Sequence, residues 1–201
     1  MYLPGLLDLE EENILPRDGV VSYFFPFYNE EESQRYYEEL MSTIEWKQDR
    51  MKMYDKILPL PRLTCFYNSR SDWPQLLLKM KEDVERQTGF QFNSVLLNLY
   101  RDEKDHVSWH SDRGTYEDTK IIASLSLGEE RNFQLKHKTD KTLKVITLGL
   151  KPGSLIVMND IQRHWYHRVA KTTQKKAPRI NLTFRKIDSN LPVTYDKDLV
   201  E

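Results

Sequence analysis

Two short stretches in the second half of the chain carry residues of the types that bind metal ions. They are Trp109-His110-Ser111-Asp112 and His164-Trp165-Tyr166-His167. In extended backbone, side chains two positions apart point to the same side, so His110 and Asp112 are expected to share one face. An imidazole and a carboxylate placed in this way bind one ion together, and a neighbouring strand supplies a second imidazole. A His-x-Asp pair on its own also occurs as an ordinary surface pair.

Two histidines and one carboxylate leave the opposite side of a metal ion open. This arrangement is typical of non-haem Fe(II) oxygenases. Zinc with a bound water in the fourth position is the alternative. The three residue types alone leave both metals open.

Residues 179–185 alternate polar and apolar side chains. The polar set is Arg179, Asn181, Thr183 and Arg185. Such a strand commonly turns its polar side to water. Turned inward, its two guanidinium groups, about four strand rises or ~13 Å apart, would each hold one carboxylate of a dicarboxylic acid. Asn98 and Tyr100, also two positions apart, are expected to add neutral hydrogen bonds to the same ligand.

Short β-rich runs make up the chain from residue 91 onward. The predicted strands are 94–101, 120–127, 131–137, 142–149, 153–158, 163–169 and 178–187. Turn signals such as Pro152-Gly153 and Asn159-Asp160 separate them, and no helical pattern lies between them. We therefore expect antiparallel sheets in a sandwich or jelly roll.

Two helices are predicted before this β region. Asn29 and Glu32 form a capping-box pattern at the start of a helix over about 30–44. A second helix is bracketed by Asp72 as N-cap, Pro74 in the first turn and Gly89 as terminator. The predicted fold class is therefore α+β, with two helices outside a two-sheet β core.

Two N-terminal segments show no helical pattern. Residues 1–21 are predicted to be an irregular arm. Residues 50–62 contain Leu58-Pro59-Leu60-Pro61, and prolines at alternate positions favour a loop or a short edge strand.

Length and composition narrow the class of protein. The chain has 201 residues, 39% of them hydrophobic and 30% charged, with a mean hydropathy of −0.69. This predicts one soluble domain, and no apolar run approaches the ~18 residues that a membrane span needs. The N-terminus is acidic where a signal peptide would be basic. The single cysteine, Cys65, favours a reducing compartment, so we expect a cytoplasmic protein, or a nuclear one in a eukaryote.

Charge is distributed unevenly along the chain. Residues 1–60 hold 13 acidic and 6 basic side chains, whereas residues 131–186 hold 14 basic and 2 acidic ones. Such a basic block attracts polyanions such as nucleic acid. The alternative is that these cations solvate the outer faces of strands.

Seven stretches, in order and with similar spacings over roughly residues 45–187, resemble the AlkB family of Fe(II)- and 2-oxoglutarate-dependent dioxygenases. They resemble most closely its eukaryotic DNA- and RNA-repair members. The stretches are Pro61-Arg62-Leu63-Thr64, Phe92-Asn93-Ser94, Asn98-Leu99-Tyr100-Arg101, Trp109-His110-Ser111-Asp112, residues 121–128, His164-Trp165-Tyr166-His167, and residues 178–186.

The resemblance implies a fold and an organisation. The fold is a double-stranded β-helix, or jelly-roll, core with flanking N-terminal helices. The whole chain, 1–201, would be a single dioxygenase domain. Within it, residues 1–90 would form the N-terminal helices and a nucleotide-recognition lid, 91–187 the catalytic core and 188–201 a tail.

The resemblance also implies residue roles. His110, Asp112 and His167 would bind Fe(II), which leaves His106, His137 and His164 as structural residues. The residues implied for 2-oxoglutarate are Asn98, Tyr100, Arg179, Asn181, Thr183 and Arg185. Arg179 and Tyr100 would hold the distal carboxylate, and Arg185 and Asn98 would lie near the carboxylate that chelates iron.

The implied reaction is oxidative demethylation of N-alkylated nucleobases in DNA or RNA, of the 1-methyladenine and 3-methylcytosine type. It consumes O₂ and 2-oxoglutarate and releases succinate, CO₂ and formaldehyde. The target base must be flipped or single-stranded to be reached. Arg50, Lys52, Lys56 and Arg62, with the basic block, would contact phosphates. The protein is expected to act as a monomer, away from membranes.

Substrate recognition departs from the resemblance at one point. Family members carry an acidic residue two positions after the aspartate ligand, and here Arg113 is followed by Gly114 at that position. Glu117 or Asp118 from the same loop is a candidate substitute. The residues expected to contact substrate are Tyr54, Arg62, Arg113, Glu117 and Arg131, with Tyr54 as a possible wedge between bases.

Two alternatives stay open at this stage. One is a 2-oxoglutarate oxygenase that acts on a protein side chain or a small molecule. The other is a non-catalytic jelly roll that binds single-stranded nucleic acid through its basic face and aromatic residues.

Overall fold

The computed structural model describes residues 13–53, 56–112 and 119–188, which form two antiparallel sheets and two helices beside one of them. The helices are α1 (Glu30–Thr43) and α2 (Gln75–Thr88). The strands are β1 (Val20–Phe24), β2 (Arg50–Met53), β3 (Lys56–Pro59), β4 (Leu63–Tyr67), β5 (Ser94–Tyr100), β6 (Val107–His110), β7 (Ile121–Gly128), β8 (Arg131–His137), β9 (Ile146–Leu150), β10 (Ser154–Asn159), β11 (Trp165–Val169) and β12 (Arg179–Arg185).

The strands form a six-stranded sheet with the order β1-β10-β7-β12-β5-β4 and a four-stranded sheet with the order β6-β11-β8-β9. A separate pair, β2-β3, forms a small hairpin-like sheet. All strand pairs are antiparallel. The predicted α+β class with a double-stranded β-helix core is confirmed.

Apolar side chains fill the two layers between these elements. Leu40 of α1 and Leu77 of α2 are fully buried in one cluster that includes Leu125 and Leu182 of the six-stranded sheet. A second cluster lies between the sheets and contains Ile156 from one and Trp165 from the other. β5 is buried at all seven positions because it has a covered layer on each side. The site described below lies in this inter-sheet layer.

The two helices begin for different reasons. At α1, the Asn29 side chain accepts the Glu32 backbone N–H at 2.9 Å, and Glu32 accepts the Asn29 N–H, which is the predicted capping box. At α2, Pro74 occupies the N-cap position and no side chain caps the first turn. The prediction of Asp72 as N-cap was therefore wrong, because the helix begins only after Pro74. Gly89 ends it as predicted, with φ +74°.

Two segments differ from expectation. The arm ends at β1, which pairs with β10 at the edge of the six-stranded sheet. Residues 50–62 hold two short strands where a loop or a single edge strand was predicted, and β4 follows immediately. β1 pairs with the distant strand β10, and β2 and β3 are four residues each and pair with one another. Periodicity therefore gave little sign of these strands. No helix of the described residues has both the length and the apolarity to cross a membrane.

Candidate active site

Strand β6 delivers the first histidine through a β-bulge. His110 pairs with His167 of β11, and the next pair is Val107 with Val169. Three residue steps on β6 therefore oppose two on β11, which is the two-against-one arrangement of a bulge. Because of the extra residue, Val107 and His110 both line the inter-sheet pocket although they are three positions apart.

The structure brings His110, Asp112 and His167 together. Asp112 lies just after β6, and its Oδ1 is 3.6 Å from His110 Nε2 and 3.8 Å from His167 Nε2. The two imidazole rings lie 4.2 Å apart, centre to centre. One ligand atom from each residue lies within 4.8 Å of the others, so one ion can contact all three.

Both imidazoles turn Nε2 toward the Asp112 carboxylate. His110 Nδ1 is 2.9 Å from the Ser108 carbonyl oxygen, which only accepts, so Nδ1 carries the proton and the lone pair is on Nε2. Burial lowers the pKa of His110 below its usual range. Burial, and next the neighbouring His110, lowers the pKa of His167 to about 3. Both rings are therefore neutral near pH 7, as metal binding requires.

The carboxylate of Asp112 is ionised although it is buried. Burial acts to raise its pKa, but Arg185, His167 and His110 outweigh burial and hold the pKa well below the usual range. Arg185 Nη2 donates to Asp112 Oδ2 at 2.6 Å. Because Arg185 binds Oδ2, the other carboxylate oxygen of Asp112, Oδ1, is left facing the two imidazoles.

A small network fixes the backbone that carries Asp112. The Asp112 N–H donates to Gln162 Oε1 at 2.8 Å. Lys138 Nζ donates to Ser111 Oγ at 2.9 Å and to the Gln162 carbonyl at 2.6 Å. We name these three residues, Ser111, Lys138 and Gln162, the Asp112 clamp. Sequence reasoning missed the clamp, since its members are up to 51 positions apart and belong to no motif.

The polar face of β12 points into the inter-sheet pocket. Arg179 pairs with Tyr100 of β5, and Asn181 pairs with Asn98. All six residues predicted for 2-oxoglutarate line this pocket, together with the three candidate metal ligands. The common arrangement, with the polar face in water, does not apply here, because Arg179 is only 1% exposed.

Arg179 is a buried cation without a carboxylate partner in the described part of the chain. Its Nη2 donates to Ser126 Oγ at 2.8 Å, whereas Nε and Nη1 are buried with no partner there. Burial lowers its pKa to about 10, so the group is still charged at neutral pH. A buried charge needs a counter-charge. The pocket thus fits a ligand with a carboxylate at the Arg179 end, as 2-oxoglutarate has.

Serines on β7 orient the remaining polar residues. Asn181 Nδ2 donates to Ser124 Oγ at 2.7 Å and to the Leu125 carbonyl at 3.0 Å. Thr183 Oγ1 donates to Asn181 Oδ1 at 3.0 Å. Sequence reasoning missed Ser124 and Ser126. Their signal was a pair of serines on one face of an otherwise apolar strand.

The structure corrects the predicted phosphate contact of Arg62 and the predicted substrate contact of Arg131, whereas a substrate contact of Arg62 inside the pocket stays a prediction. Arg62 is 8% exposed and donates through Nε to Asn98 Oδ1 at 2.7 Å, so it lines the pocket and is not a surface phosphate contact. Arg131 is 2% exposed. Its guanidinium donates to the carbonyls of Asp102, Asp105 and Ala170, so it braces loops and is not free to bind substrate. In both cases, acceptor oxygens inside the fold bind the guanidinium group, which was expected to face solvent.

The other predicted substrate contacts lie outside the described residues. These are Tyr54, Arg113 and Glu117, and Gly114 and Asp118 lie in the same segment. Their predicted roles stay predictions.

A second group, Asp18, His137 and His164, also lies within ligand distance of one another. His137 Nδ1 accepts the Asp140 backbone N–H at 2.8 Å, so the ring proton is on Nε2, which donates to Asp18 Oδ2 at 3.0 Å. Both nitrogens of this ring are therefore engaged, and neither presents a lone pair to an ion. This group is a hydrogen-bonded tether, which agrees with the structural role predicted for His137.

Comparison with known proteins agrees with this geometry. The family model described as "2OG-Fe(II) oxygenase superfamily" matches residues 20–185. The chain belongs to this superfamily. Its curated relatives are AlkB homologues, so it is an AlkB-type member and a 2-oxoglutarate-dependent dioxygenase, with Fe(II), 2-oxoglutarate and O₂ as the family's cofactors.

Three relatives define the similarity. The chain is 36% identical over 182 residues to bovine "Alpha-ketoglutarate-dependent dioxygenase alkB homolog 3", covering 80% of this chain and 64% of that protein. It is 33% identical to the human protein of the same name, covering 88% and 73%. Human "DNA oxidative demethylase ALKBH2" is 30% identical, with 85% and 74% covered. Thus the chain spans less than two thirds of the bovine relative's length.

A solved structure shares the fold. "The structure of OsALKBH1" superposes with a TM-score of 0.59 at 15% identity, covering 86% of this chain and 98% of that one. At this identity the similarity concerns the fold alone.

Proposed function

We propose that this dioxygenase removes methyl groups from N-alkylated nucleobases in DNA or RNA, of the 1-methyladenine and 3-methylcytosine type. The observation that carries the proposal is the shared pocket of three metal-competent side chains and a buried, unpaired Arg179. The nucleic-acid substrate is supported by the relative named "DNA oxidative demethylase ALKBH2" and by the basic block at residues 131–186.

The described side chains would hold the cofactors as follows. His110 and His167 would present Nε2 to the metal, and Asp112 would present Oδ1. Arg179 would bind one carboxylate of 2-oxoglutarate, with Tyr100 beside it on the paired strand. When bound, Fe(II) with 2-oxoglutarate and O₂ supplies the oxidation of an N-methyl C–H bond, which yields succinate, CO₂ and formaldehyde.

The protein contributes placement and charge to this chemistry. The Asp112 clamp fixes one ligand, and the Ser108 carbonyl fixes the tautomer of another. Such outer hydrogen bonds orient metal ligands and tune their basicity. The apolar side chains that line the same pocket, among them Leu96, Val107 and Phe133, keep water away from the reacting groups.

The direct test supplies Fe(II), 2-oxoglutarate and a single-stranded oligonucleotide containing 1-methyladenine or 3-methylcytosine. We expect succinate and formaldehyde in equal amounts and restoration of the unmodified base by mass spectrometry. The H110A variant is the control and should give neither product. Turnover of 2-oxoglutarate with no base repaired would remove this substrate and leave the cofactor chemistry standing.

A second candidate is a 2-oxoglutarate oxygenase with a protein or small-molecule substrate. The observation that favours it is Arg113-Gly114, where family members carry an acidic base contact. Screening a panel of peptides, nucleosides and small metabolites for coupled succinate release separates the two. The non-catalytic alternative predicts that nucleic-acid binding needs no iron and survives the H167A change.

A further inference from the structure

The outer face of the four-stranded sheet carries cations and aromatic rings. Both helices share their core cluster with the six-stranded sheet, and no described helix covers this face. Its outward residues alternate with the inward metal ligands on β6 and β11. They include Ser108, Trp109, Asn132, Gln134, Lys136, Thr147, Tyr166 and Arg168. None of these residues is acidic, and the one carboxylate described beside them is that of Glu130, which lies over Gly149 at the β9 edge of the face.

Aromatic rings hold the cations of this face in place. The Arg168 guanidinium lies 4.4 Å from the centre of the Trp109 ring. Lys136 Nζ lies 4.8 Å from the same ring and 5.8 Å from that of Tyr166. An aromatic face attracts a cation through its quadrupole and leaves the net charge uncancelled, unlike a carboxylate. We call Trp109, Lys136, Tyr166 and Arg168 the outer strip.

The charges of the outer strip stay unneutralised within the described part of the chain. Neither Lys136 nor Arg168 forms a salt bridge there, and Arg168 Nε donates to the neutral Gln134 side chain at 2.7 Å. The first turn of α1, beside the other sheet, holds the acidic residues 30–32. Unpaired cations on the outer strip attract a polyanion more strongly than this acidic turn does.

We propose that the outer strip binds the phosphodiester backbone of the nucleic-acid strand that presents the methylated base. This rests on the proposed function for the identity of the strand. Rings that fix a lysine and an arginine beforehand lower the side-chain entropy lost when phosphates bind. Trp109 and Tyr166 adjoin His110 and His167 in the chain, so the strip lies on the other face of the sheet from the metal ligands. Arg168 also lines the inter-sheet pocket, and β6 is the edge of this sheet, so a strand on the strip is next to the pocket. Such contacts fix a strand's position without reading its sequence.

The test measures affinity and its dependence on salt. The double variant K136Q/R168Q is compared with the unmutated protein in binding an unmodified, labelled single strand of about 20 nucleotides between about 50 and 200 mM salt. Losing two phosphate contacts should make the slope of log K against log salt shallower by roughly 1.4 and weaken binding on the order of tenfold at low salt. Fluorescence anisotropy reports both quantities.

The matched control is K79Q/K151Q. These lysines also lie over aromatic rings, Lys79 at 5.4 Å from Tyr36 and Lys151 at 4.8 Å from Phe25, but outside the outer strip. The control removes the same charge and should leave the slope close to that of the unmutated protein. Equal losses in both double variants, or no loss in K136Q/R168Q, would overturn the proposal.

A further variant tests the role of the ring. W109L keeps every charge but removes the surface under Lys136 and Arg168, so we expect weaker binding with a nearly unchanged slope. The charge-transfer band of the anaerobic Fe(II)–2-oxoglutarate complex verifies that each variant retains a folded site. Loss of strand binding in K136Q/R168Q without demethylation of any base by the unmutated protein would sustain the strip and end the proposed function. Demethylation by the unmutated protein, with an unchanged salt slope in K136Q/R168Q, would sustain the proposed function and end the proposal for the outer strip.

Discussion

The described residues include two groups of two histidines and one aspartate, and these groups differ in the hydrogen bond made by Nδ1 of one imidazole. In the pocket group, His110 Nδ1 donates to a backbone carbonyl, so Nε2 has a free lone pair. In the tether group of Asp18, His137 and His164, His137 Nδ1 accepts a backbone N–H, so Nε2 carries the proton and donates to Asp18. A single reversed hydrogen bond separates a metal ligand from a tether.

This difference shows that proximity is a weak criterion for a metal site. Both groups bring their ligand atoms within 4.8 Å. Asp18 is additionally paired with Arg17 at 3.2 Å, and both are well exposed. Asp112 is buried and held by the Asp112 clamp. The polar contacts around the ligands decide which group binds an ion.

The largest effect is expected from H167A. Removing one of the two imidazoles should abolish stable Fe(II) binding and reduce demethylation below detection. Metal analysis of the purified protein, with the anaerobic charge-transfer band, measures the loss. H164A is the control from the tether group and should retain full metal content. Full loss of metal in H164A would contradict the assignment of the two groups.

The next effect concerns the buried cation. In R179M, loss of charge-assisted hydrogen bonds worth about 1.5–3 kcal/mol each should weaken 2-oxoglutarate binding on the order of 10²-fold. The free energy of unfolding of the ligand-free protein should not fall, since an unpaired buried charge is removed. Calorimetric titration and denaturant unfolding measure the two quantities.

R131M is the matched control for R179M. Three backbone carbonyls lose their donor, so we expect destabilisation of about 2–4 kcal/mol with 2-oxoglutarate affinity largely retained in the folded fraction. Destabilisation by R179M equal to that by R131M would mean that Arg179 is a structural residue.

A smaller effect is expected from Q162L, which breaks the Asp112 clamp and leaves all three candidate metal ligands unmutated. Outer hydrogen bonds to metal ligands are typically worth 10–100-fold in affinity, so Fe(II) should bind roughly 10-fold more weakly. The Kd follows from titration of the charge-transfer band. Q134L, a glutamine-to-leucine change on the outer face of the same sheet, is the control. Unaltered iron affinity in Q162L would remove the clamp from the site.

The smallest effect on iron binding is expected from the tether. H137L should lower the free energy of unfolding by about 2 kcal/mol, because the Asp18 and Asp140 contacts are lost. D18N keeps an acceptor for Nε2 and should cost less than about 1 kcal/mol. Both variants should keep the iron content of the unmutated protein. A drop in bound metal in either one would break the distinction between the two groups.

The sequence predicted more of the pocket than of its surroundings. The strand at residues 179–185 and the His110-x-Asp112 pair carry alternation, and alternation specifies which side chains share a face. The boundaries of β8 and β12 followed closely for the same reason, and those of β5 followed from a short apolar run. The seven predicted strands all correspond to observed strands, and each differs at its ends by at most a few residues.

What the sequence did not predict depends on contacts between distant residues. The Asp112 clamp joins residues from three loops and strands, and no local pattern marks it. Arg131 was assigned to the substrate because a basic residue in a basic block looks exposed, whereas its guanidinium is occupied by three carbonyls. The inward serines of β7 were visible as an interruption in an apolar run, but their partners on β12 were not.

The bulge in β6 affects the outer face of the four-stranded sheet more than the inter-sheet pocket. Without the extra residue, His110 and Val107 would be two apart and would still look inward. What the insertion adds is room on the opposite side, where Ser108 and Trp109 together face a single residue of β11. Deleting Ser108 from β6 would therefore keep the His110 imidazole turned inward and alter the outer face of the sheet. In contrast, a one-residue insertion or deletion in the bulge-free run Trp165–His167 would turn the His167 imidazole away from the metal site.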